Sequence, residues 1–365
     1  MRILHVCQSA DPNIGGSLVV ARSLAEAQAD EGADARVVYL YRSPYDSNTS
    51  QRRCAEAFLG VERATRYTRG IKALRQYVGS EKPTIIHHHD GLLWPRIGTR
   101  NTGVPLVTHG HLGAPNTGWW AAKRITHEYI VNHTNLLIAV SEWVSDSWEA
   151  SGFPRERIKL IYNGVDSAKF RRRTATGDAQ RVPRLLSGEP RKKLLWLGRF
   201  DKHTKGLDRL LLVIRNLPRN WCCVIVGDGP DRSWLAENIT LEAVGDRTVM
   251  VGKVSEPAEW FANADAFLFT SRVEPFGLVL LEAASSEIPI LAFPCIGGGS
   301  ELLRILRARL IGESSPTTIS EDLNCCLENT PYRSVRSKVN DLFSWRKAAL
   351  ESIQAYHELS AGLQQ

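Results

Sequence analysis

Residues 264–286, ADAFLFTSRVEPFGLVLLEAASS, decide how the rest of this chain is read. The apolar run 266–269 fits a buried strand, and the segment from Leu278 onward is rich in strong helix formers. The turn between them carries Glu274, then Pro275, Phe276 and Gly277, and the helix carries Glu282. Proline fixes such a turn, and glycine lets the backbone come close to a ligand at the helix start. A helix N-terminus presents amides without intrahelical partners, which makes it an anion site. With a phosphate there, Glu274 lies just before the helix and Glu282 about one turn inside it. Both are then placed to accept hydrogen bonds from hydroxyls rather than to hold a metal.

The same strand, loop and helix grammar repeats outward from this stretch. A strand over 289–292 leads into Gly297, Gly298, Gly299, Ser300, Glu301 and a helix. Upstream, a strand over 193–197 ends in Gly198, Arg199 and Phe200, with Lys205-Gly206 and a helix from Leu207 beyond it. Further strands fit 222–226, ending in Gly227-Asp228-Gly229-Pro230, and 249–254. In the first half, strands fit 2–7, 35–40, 84–86, 105–108, 136–140 and 158–162, and a helix over 17–31 follows Gly15-Gly16. Motifs that each follow a strand and precede a helix collect along the carboxyl edge of a parallel sheet. Residues 171–191 hold an arginine triplet and no period, which reads as a linker. The expected fold is α/β, two doubly wound parallel-sheet, Rossmann-like domains facing across a cleft. The expected boundaries are 1–180, 181–340 and a terminal helical segment 341–365.

A chain of 365 residues is too long for one ordinary core, and 43% hydrophobic with 23% charged residues is the balance of a soluble globular protein. Seven cysteines without zinc spacing, with 222-223 and 325-326 adjacent, point to a reducing compartment. The start MRILHVCQ makes a poor signal peptide and a good first strand, and no stretch reaches the ~18 apolar residues of a membrane span. A net charge of +7 favours anionic ligands or surfaces without naming one. A helix over 62–78 carries Arg63, Arg66, Arg69, Lys72 and Arg75 three apart. It is either a docking face for an anionic membrane or lipid-linked phosphate, or simply a solvated face.

Histidines gather at two strand ends, His87-His88-His89-Asp90 and His109-Gly110-His111. Successive strand residues point to opposite faces, so the three in a row cannot chelate one ion together. His109 is the candidate for ligand contact, against the plainer reading of a loop histidine held by hydrogen bonds. Arg199 and Lys205 suit a diphosphate, the first by bidentate hydrogen bonds and the second as a point charge.

Taken together, these motifs resemble the retaining GT-B glycosyltransferases of family 4 (glycosyltransferase group 1). The resemblance rests on Gly15-Gly16, Thr108-His109-Gly110, Val140-Ser141-Glu142, residues 161–166 (IYNGVD) with Phe170, Leu197-Gly198-Arg199-Phe200 with Lys205-Gly206, residues 226–230 (VGDGP), and Glu274-Pro-Phe-Gly-Leu through Glu282, in that order along nearly the whole chain. It implies an acceptor-side N-terminal domain, a nucleotide-sugar C-terminal domain, and a last helix, after Phe343-Ser344-Trp345 and through Tyr356, crossing back to the first. It implies that Arg199 and Lys205 hold the donor diphosphate, that Glu282 binds the nucleotide ribose, and that Glu274, with the amides of Phe276, Gly277 and Leu278, holds the transferred sugar. Gly15 and Gly16 would approach the diphosphate, and His109 would sit beside the reacting sugar. Catalytic work would fall to Glu274, His109, Arg199 and Lys205.

The implied reaction moves a sugar from a nucleotide-diphosphate sugar to a glycan or lipid-linked saccharide, with retention, no cofactor and no metal, in surface polysaccharide assembly. It needs no nucleic acid, and it places the protein in the cytoplasm with peripheral membrane contact through residues 62–78. A nucleotide-sugar epimerase of the same fold, or a non-catalytic nucleotide- or sugar-binding protein, are the alternatives. Two stretches depart from the pattern. Residues 301–340 lack the usual glycine-bearing loop followed by a strand, and HLGAPNTGWW (111–120) offers Trp119-Trp120 either to stack on a sugar or to pack a helix start. The donor base (UDP, GDP or ADP), the sugar and the linkage are not encoded in residue letters.

Overall fold

The computed structural model describes residues 1–11, 16–41, 53–89, 91–114, 121–170, 189–312, 319–329 and 332–362. Gly15, Asp90, Trp119, Trp120 and most of the expected linker lie outside them. The chain forms two compact units, one of Met1–Gly164 with Trp345–Gln365, the other of Val165–Ser344. The polypeptide changes unit at 164/165 and 344/345, where the sequence suggested 180/181 and 340/341. Packing explains the early change: Val165 N donates to Phe343 O at 2.8 Å, and Phe170 meets Phe261 edge-on at 5.7 Å, all within the second unit.

The first unit holds a seven-stranded sheet built from β1 (Arg2–Cys7), β2 (Asp34–Tyr41), β3 (Ala55–Val61), β4 (Ile85–His88), β5 (Leu106–Gly110), β6 (Leu136–Ala139) and β7 (Ile158–Leu160). The order is β3-β2-β1-β4-β5-β6-β7 and every pair is parallel. Alternation divides the strands between two cores. Ile3, Val37, Tyr39, Ile85 and Val107 pack under the helices Gly16–Asp30 and Trp345–Gly362, while Leu4, Val6, Val38, Leu40 and Ile86 face the side of the helix Ile71–Glu81.

The second unit holds β8 (Lys192–Leu197), β9 (Trp221–Val226), β10 (Thr248–Gly252), β11 (Ala266–Phe269), β12 (Ile290–Ala292) and β13 (Arg309–Leu310), in the order β10-β9-β8-β11-β12-β13, again all parallel. In both sheets the order reverses once, between β1 and β4 and between β8 and β11. The crevice beyond the strand ends at such a switch is where open α/β sheets bind ligands.

The structure departs from the sequence reading in three places. β3 is an unexpected edge strand, since AEAFLGV alternates weakly and is only partly buried. Between 301 and 340 the strand that seemed missing is β13, two residues long and paired with β12 through Leu291↔Arg309 and Ala292↔Leu310. Arg307 takes the left-handed conformation (φ 55°) that a glycine would ordinarily supply in the turn before it. The basic segment is not one helix. It runs as a 3-10 turn Arg63–Thr65, a π-turn Arg66–Gly70, and then the α-helix Ile71–Glu81. Close packing requires glycine at the junction: a Cβ on Gly70 would meet Val61 Cγ1 at 2.8 Å and the Trp94 ring at 3.2 Å.

Candidate functional site

The stretch that opened the sequence reading folds as β11, a loop over 270–277, and the helix Leu278–Ser285. Gly277 caps that helix at φ 101°, a conformation that strains any side-chain-bearing residue. The loop is pinned from below. Glu274 N donates to Ile296 O and Gly299 N to Glu274 O, both at 2.8 Å, and Val273 bridges to Ile296. A Cβ on Gly297 would lie 2.4 Å from Glu274 O, and one on Gly299 2.8 Å from Glu274 Cβ. The glycine run after β12 therefore serves to seat Glu274. Phe276 is buried against Phe343, so it anchors the turn from the core.

The cations come from the other side of the switch. Lys205 closes the short helix Lys202–Lys205, which Asp201 caps by accepting from Thr204 N. Gly206 follows at φ 64°, with Thr270 O only 2.3 Å from where a Cβ would be. Thr270 Oγ1 donates to Lys205 O at 2.6 Å, tying this loop to the end of β11. So fixed, Lys205 Nζ reaches Glu274 Oε2 at 2.6 Å, and Ser271 Oγ donates to the same oxygen at 3.3 Å. Arg199, just past the end of β8, is exposed; its carbonyl accepts from Asp201 N at 2.9 Å, while its guanidinium makes no hydrogen bond or ion pair among the described residues. Arg272, within the loop, grips Asp208 with two hydrogen bonds of 2.7 and 2.6 Å. That pair carries no sequence signature beyond two opposite charges far apart in the chain, one on a loop and one in the first turn of the helix Leu207–Arg215.

The two acids differ. Glu274 is paired with Lys205, whereas the Glu282 carboxyl, on the helix, has no hydrogen-bond partner among the described residues. Burial pushes the Glu282 pKa up to about 7, against the pull of Lys169. A partly desolvated acid with open acceptor sites is suited to hydroxyl donors. Cys295, beside Gly299, has its thiol pushed up to about 12 by burial, so it is no thiolate nucleophile.

In the first unit, His109 lies on β5 and is 6% exposed. It belongs to a cluster: His5, His87 and His109 sit on the face of Ile3, Ile85 and Val107, and His89 and His111 continue it beyond the strands. His109 stacks on His111 at 4.4 Å and on His89 at 4.8 Å. Burial lowers the pKa of every one of these rings, His5 to about 4 and His111 to about 3, so they are neutral at pH 7. Alternation sends His88 to the opposite face, where it bonds Thr99 Oγ1 at 3.0 Å, and three successive histidines indeed do not converge. His87 and His89 do converge, joined by His5 from the neighbouring strand, with one ring nitrogen from each lying within 4.8 Å of the other two. The sequence reading missed this because it compared neighbours at i, i+1 and overlooked i, i+2. All six ring nitrogens of that trio are hydrogen-bonded, to Gln28, Tyr356, His109, His111 and each other.

The fold brings Lys205, Glu274, Gly277 and Leu278 to one loop cluster, with Arg199 at the adjoining strand end and Glu282 on the helix behind. His109 lies in the other unit, as does Gly16, exposed at the first position of its helix.

Comparison with known proteins agrees with this architecture. The model described as "Glycosyl transferases group 1" matches residues 180–340, and "Glycosyltransferase Family 4" matches 14–169. The glycogen synthase of Mycobacterium tuberculosis is 26% identical over 309 residues, covering 78% of this chain and 71% of that protein. The lipopolysaccharide core biosynthesis mannosyltransferase LpsB of Rhizobium meliloti is 29% identical over 152 residues, 40% of this chain and 42% of the other. Among solved structures, Anabaena Alr3699/HepE in complex with UDP-glucose superposes with a TM-score of 0.84 at 20% identity, over 98% of this chain and 100% of that one. Two family models that meet near the change of unit, two parallel sheets with one switch each, and glycine-seated charges at the second switch lead to one assignment: the chain belongs to the GT-B glycosyltransferases.

Proposed function

We propose that the protein transfers a sugar, with retention of anomeric configuration, from a nucleotide-diphosphate sugar to a glycan or lipid-linked saccharide in surface polysaccharide assembly. The observation that carries this reading is the Lys205–Glu274 pair at 2.6 Å, seated by Gly206, Gly297 and Gly299 at the sheet switch and beside the start of the helix Leu278–Ser285. A cation, an exposed Arg199 and a helix N-terminus converge on what suits a diphosphate. Glu282, with open acceptor sites, suits a ribose diol. The complex of HepE with UDP-glucose and the names of the two relatives support a nucleotide-sugar donor and a polysaccharide role.

In this reading Arg199 and Lys205 stabilise the charge that grows on the leaving diphosphate. Glu274, with the amides at 276–278, orients the sugar, and in the first unit His109 donates to a sugar hydroxyl and Gly16 approaches the diphosphate. Gly15 would share that role. The bond from the anomeric carbon to phosphate oxygen breaks as the acceptor oxygen attacks the same face. The acceptor proton passes to the departing phosphate oxygen. No cofactor or metal enters, and the reaction takes place in the cytoplasm.

Peripheral contact with an anionic membrane is proposed through the basic segment 62–78. Arg75 donates to the carbonyls of Ile97 and Gly98, Arg63 lies over the Tyr41 ring and Arg66 over Tyr67, which is how a solvated face behaves. Among the described residues no helix is long and apolar enough to cross a membrane. The test is turnover of a panel of UDP-, GDP- and ADP-sugars, with the anomer of the product read by NMR. No hydrolysis, transfer or binding with any donor would sink the transferase reading, and an inverted product would sink retention. Turnover of a donor sugar into its epimer without an acceptor would favour the epimerase instead.

A further inference from the structure

Two files of histidines run through the first unit, and hydrogen-bond counting fixes the direction of both from the final helix, Trp345–Gly362. Ser352 Oγ donates to Ala349 O at 2.9 Å, so its oxygen is left to accept from Gln28 Nε2 at 2.8 Å. That sets the Gln28 amide, whose carbonyl oxygen must then face His5 Nε2 at 2.8 Å. Gln28 Nε2 also faces the Tyr356 hydroxyl at 3.5 Å. A hydroxyl that accepts there has its own proton free for one acceptor, and His87 Nδ1 is 2.8 Å away. If Tyr356 accepted from His87 as well, its proton would be left to Ser352 Oγ, the other hydroxyl beside it, which already donates to Ala349 O and accepts from Gln28 Nε2.

The rest follows ring by ring. His87, accepting at Nδ1, carries its proton on Nε2 and donates to His109 Nδ1 at 3.2 Å. His109 therefore also carries its proton on Nε2, directed at Asn163 Oδ1 3.3 Å away. In the second file His5 donates from Nε2 to Gln28, His89 Nε2 donates to His5 Nδ1 at 2.9 Å, and His111 Nε2 donates to His89 Nδ1 at 3.1 Å. Five neutral rings thus share one tautomer, each handing its demand to the next.

We propose that Ser352 and Tyr356 are positioning residues which, through Gln28 and His87, lock the proton of His109 on Nε2. The final helix thereby decides which nitrogen of His109 donates. This rests on the reading that His109 meets a sugar hydroxyl, and it gives the chain's last segment a chemical role in addition to packing. The Nε2 proton now rests on Asn163 Oδ1 across a long 3.3 Å, and a sugar hydroxyl would take it over or share it; without the lock, His109 spends part of its time as the Nδ1–H tautomer and Nε2 offers a lone pair instead.

Long-range proton–nitrogen correlation spectra of the full-length protein, labelled at histidine and free of ligand at neutral pH, test it. The five buried rings are expected to show one shared pattern, protonated Nε2 and bare Nδ1. Tyr356→Phe keeps the ring and removes the hydroxyl; it is expected to turn His109 into a mixture of tautomers. With UDP-glucose as the probe donor it is expected to lower kcat about tenfold at unchanged KM, the rate equivalent of one misdirected hydrogen bond. Ser352→Ala, a smaller change, is the second variant and is expected to mix the tautomers of His5 and His109. A wild-type His109 protonated on Nδ1, or an unchanged His109 pattern in both variants, overturns the lock. A changed pattern with unchanged kcat upholds the lock and overturns the placement of His109 at the sugar, so the two failures are told apart.

Discussion

The two units carry their polar residues past the carboxyl ends of the same kind of sheet, yet they treat charge in opposite ways. In the first unit five imidazoles are sunk among Ile3, Ile85 and Val107 and kept neutral by burial, each ring bonded to the next. In the second, Lys205 and Glu274 form a partly open ion pair, held by backbone turns that only glycine allows. Buried neutral groups give direction without electrostatic strength, because their protons are fixed by their partners. Open charges give strength, because an anionic ligand would meet them with their desolvation still to come. The proposed reaction asks for strength where phosphate charge grows and for direction where a hydroxyl is held, and each unit offers one of the two.

Acid should separate the units most clearly. His5 falls from 6.5 to about 4 on folding. For a base with a depressed pKa, stability is whole above the unfolded value and is lost as pH drops from about 6.5 toward 4, because the unfolded chain binds the proton first. His5 alone accounts for about 3 kcal/mol over that window, and the neighbouring rings act in the same direction. Hydrogen exchange read unit by unit between pH 7 and pH 4.5 should show the first unit's core opening first. Equal loss in both units would break the contrast.

Lys205→Ala tests the charged side. It should cost about 10²–10³ in kcat/KM, as for the loss of one preorganised electrostatic donor, while shifting stability by less than about 1 kcal/mol, since the pair is partly exposed. Steady-state kinetics with thermal melts reads both. Glu282→Gln should act with the opposite pH sign to the histidines. The Glu282 pKa is raised from 4.5 to about 7, so its favourable contribution is whole below 4.5 and fades as pH rises to 7. The variant should be more stable than the parent at pH 8 by about 2 kcal/mol, after allowing for partial exposure, and should bind nucleotide more weakly. Denaturant titrations at pH 5 and pH 8 measure the first effect. The smallest effect is the removal of divalent ions: EDTA should leave both turnover and melting unchanged. A loss restored by one metal would reassign the His5, His87 and His89 nitrogens as ligands.

Much of the second unit's loop geometry around the candidate site was legible in the letters, and little of the first unit's histidine network. Glycines at 206, 277 and 297 announce themselves because each holds a positive φ, a local property that one residue type satisfies. Helix boundaries such as Leu278 were likewise local. The histidine files depend on register, with His5 opposite His87 and Val107 opposite His87 on the other side, and register is set by pairings that no single stretch contains. Gln28, Ser352 and Tyr356 look like ordinary helix residues until the final helix returns to the first unit. The two-residue β13 was hidden because Arg307, rather than glycine, makes its left-handed turn.

The central claim is that the second unit's charged loops bind a nucleotide diphosphate. Calorimetric titration of the wild type and of Arg199→Ala with UDP, GDP and ADP tests it most directly. The account predicts that one of the three binds the wild type and that Arg199→Ala weakens that binding at least about tenfold. Binding of none of them, or equal binding by the variant, would contradict it.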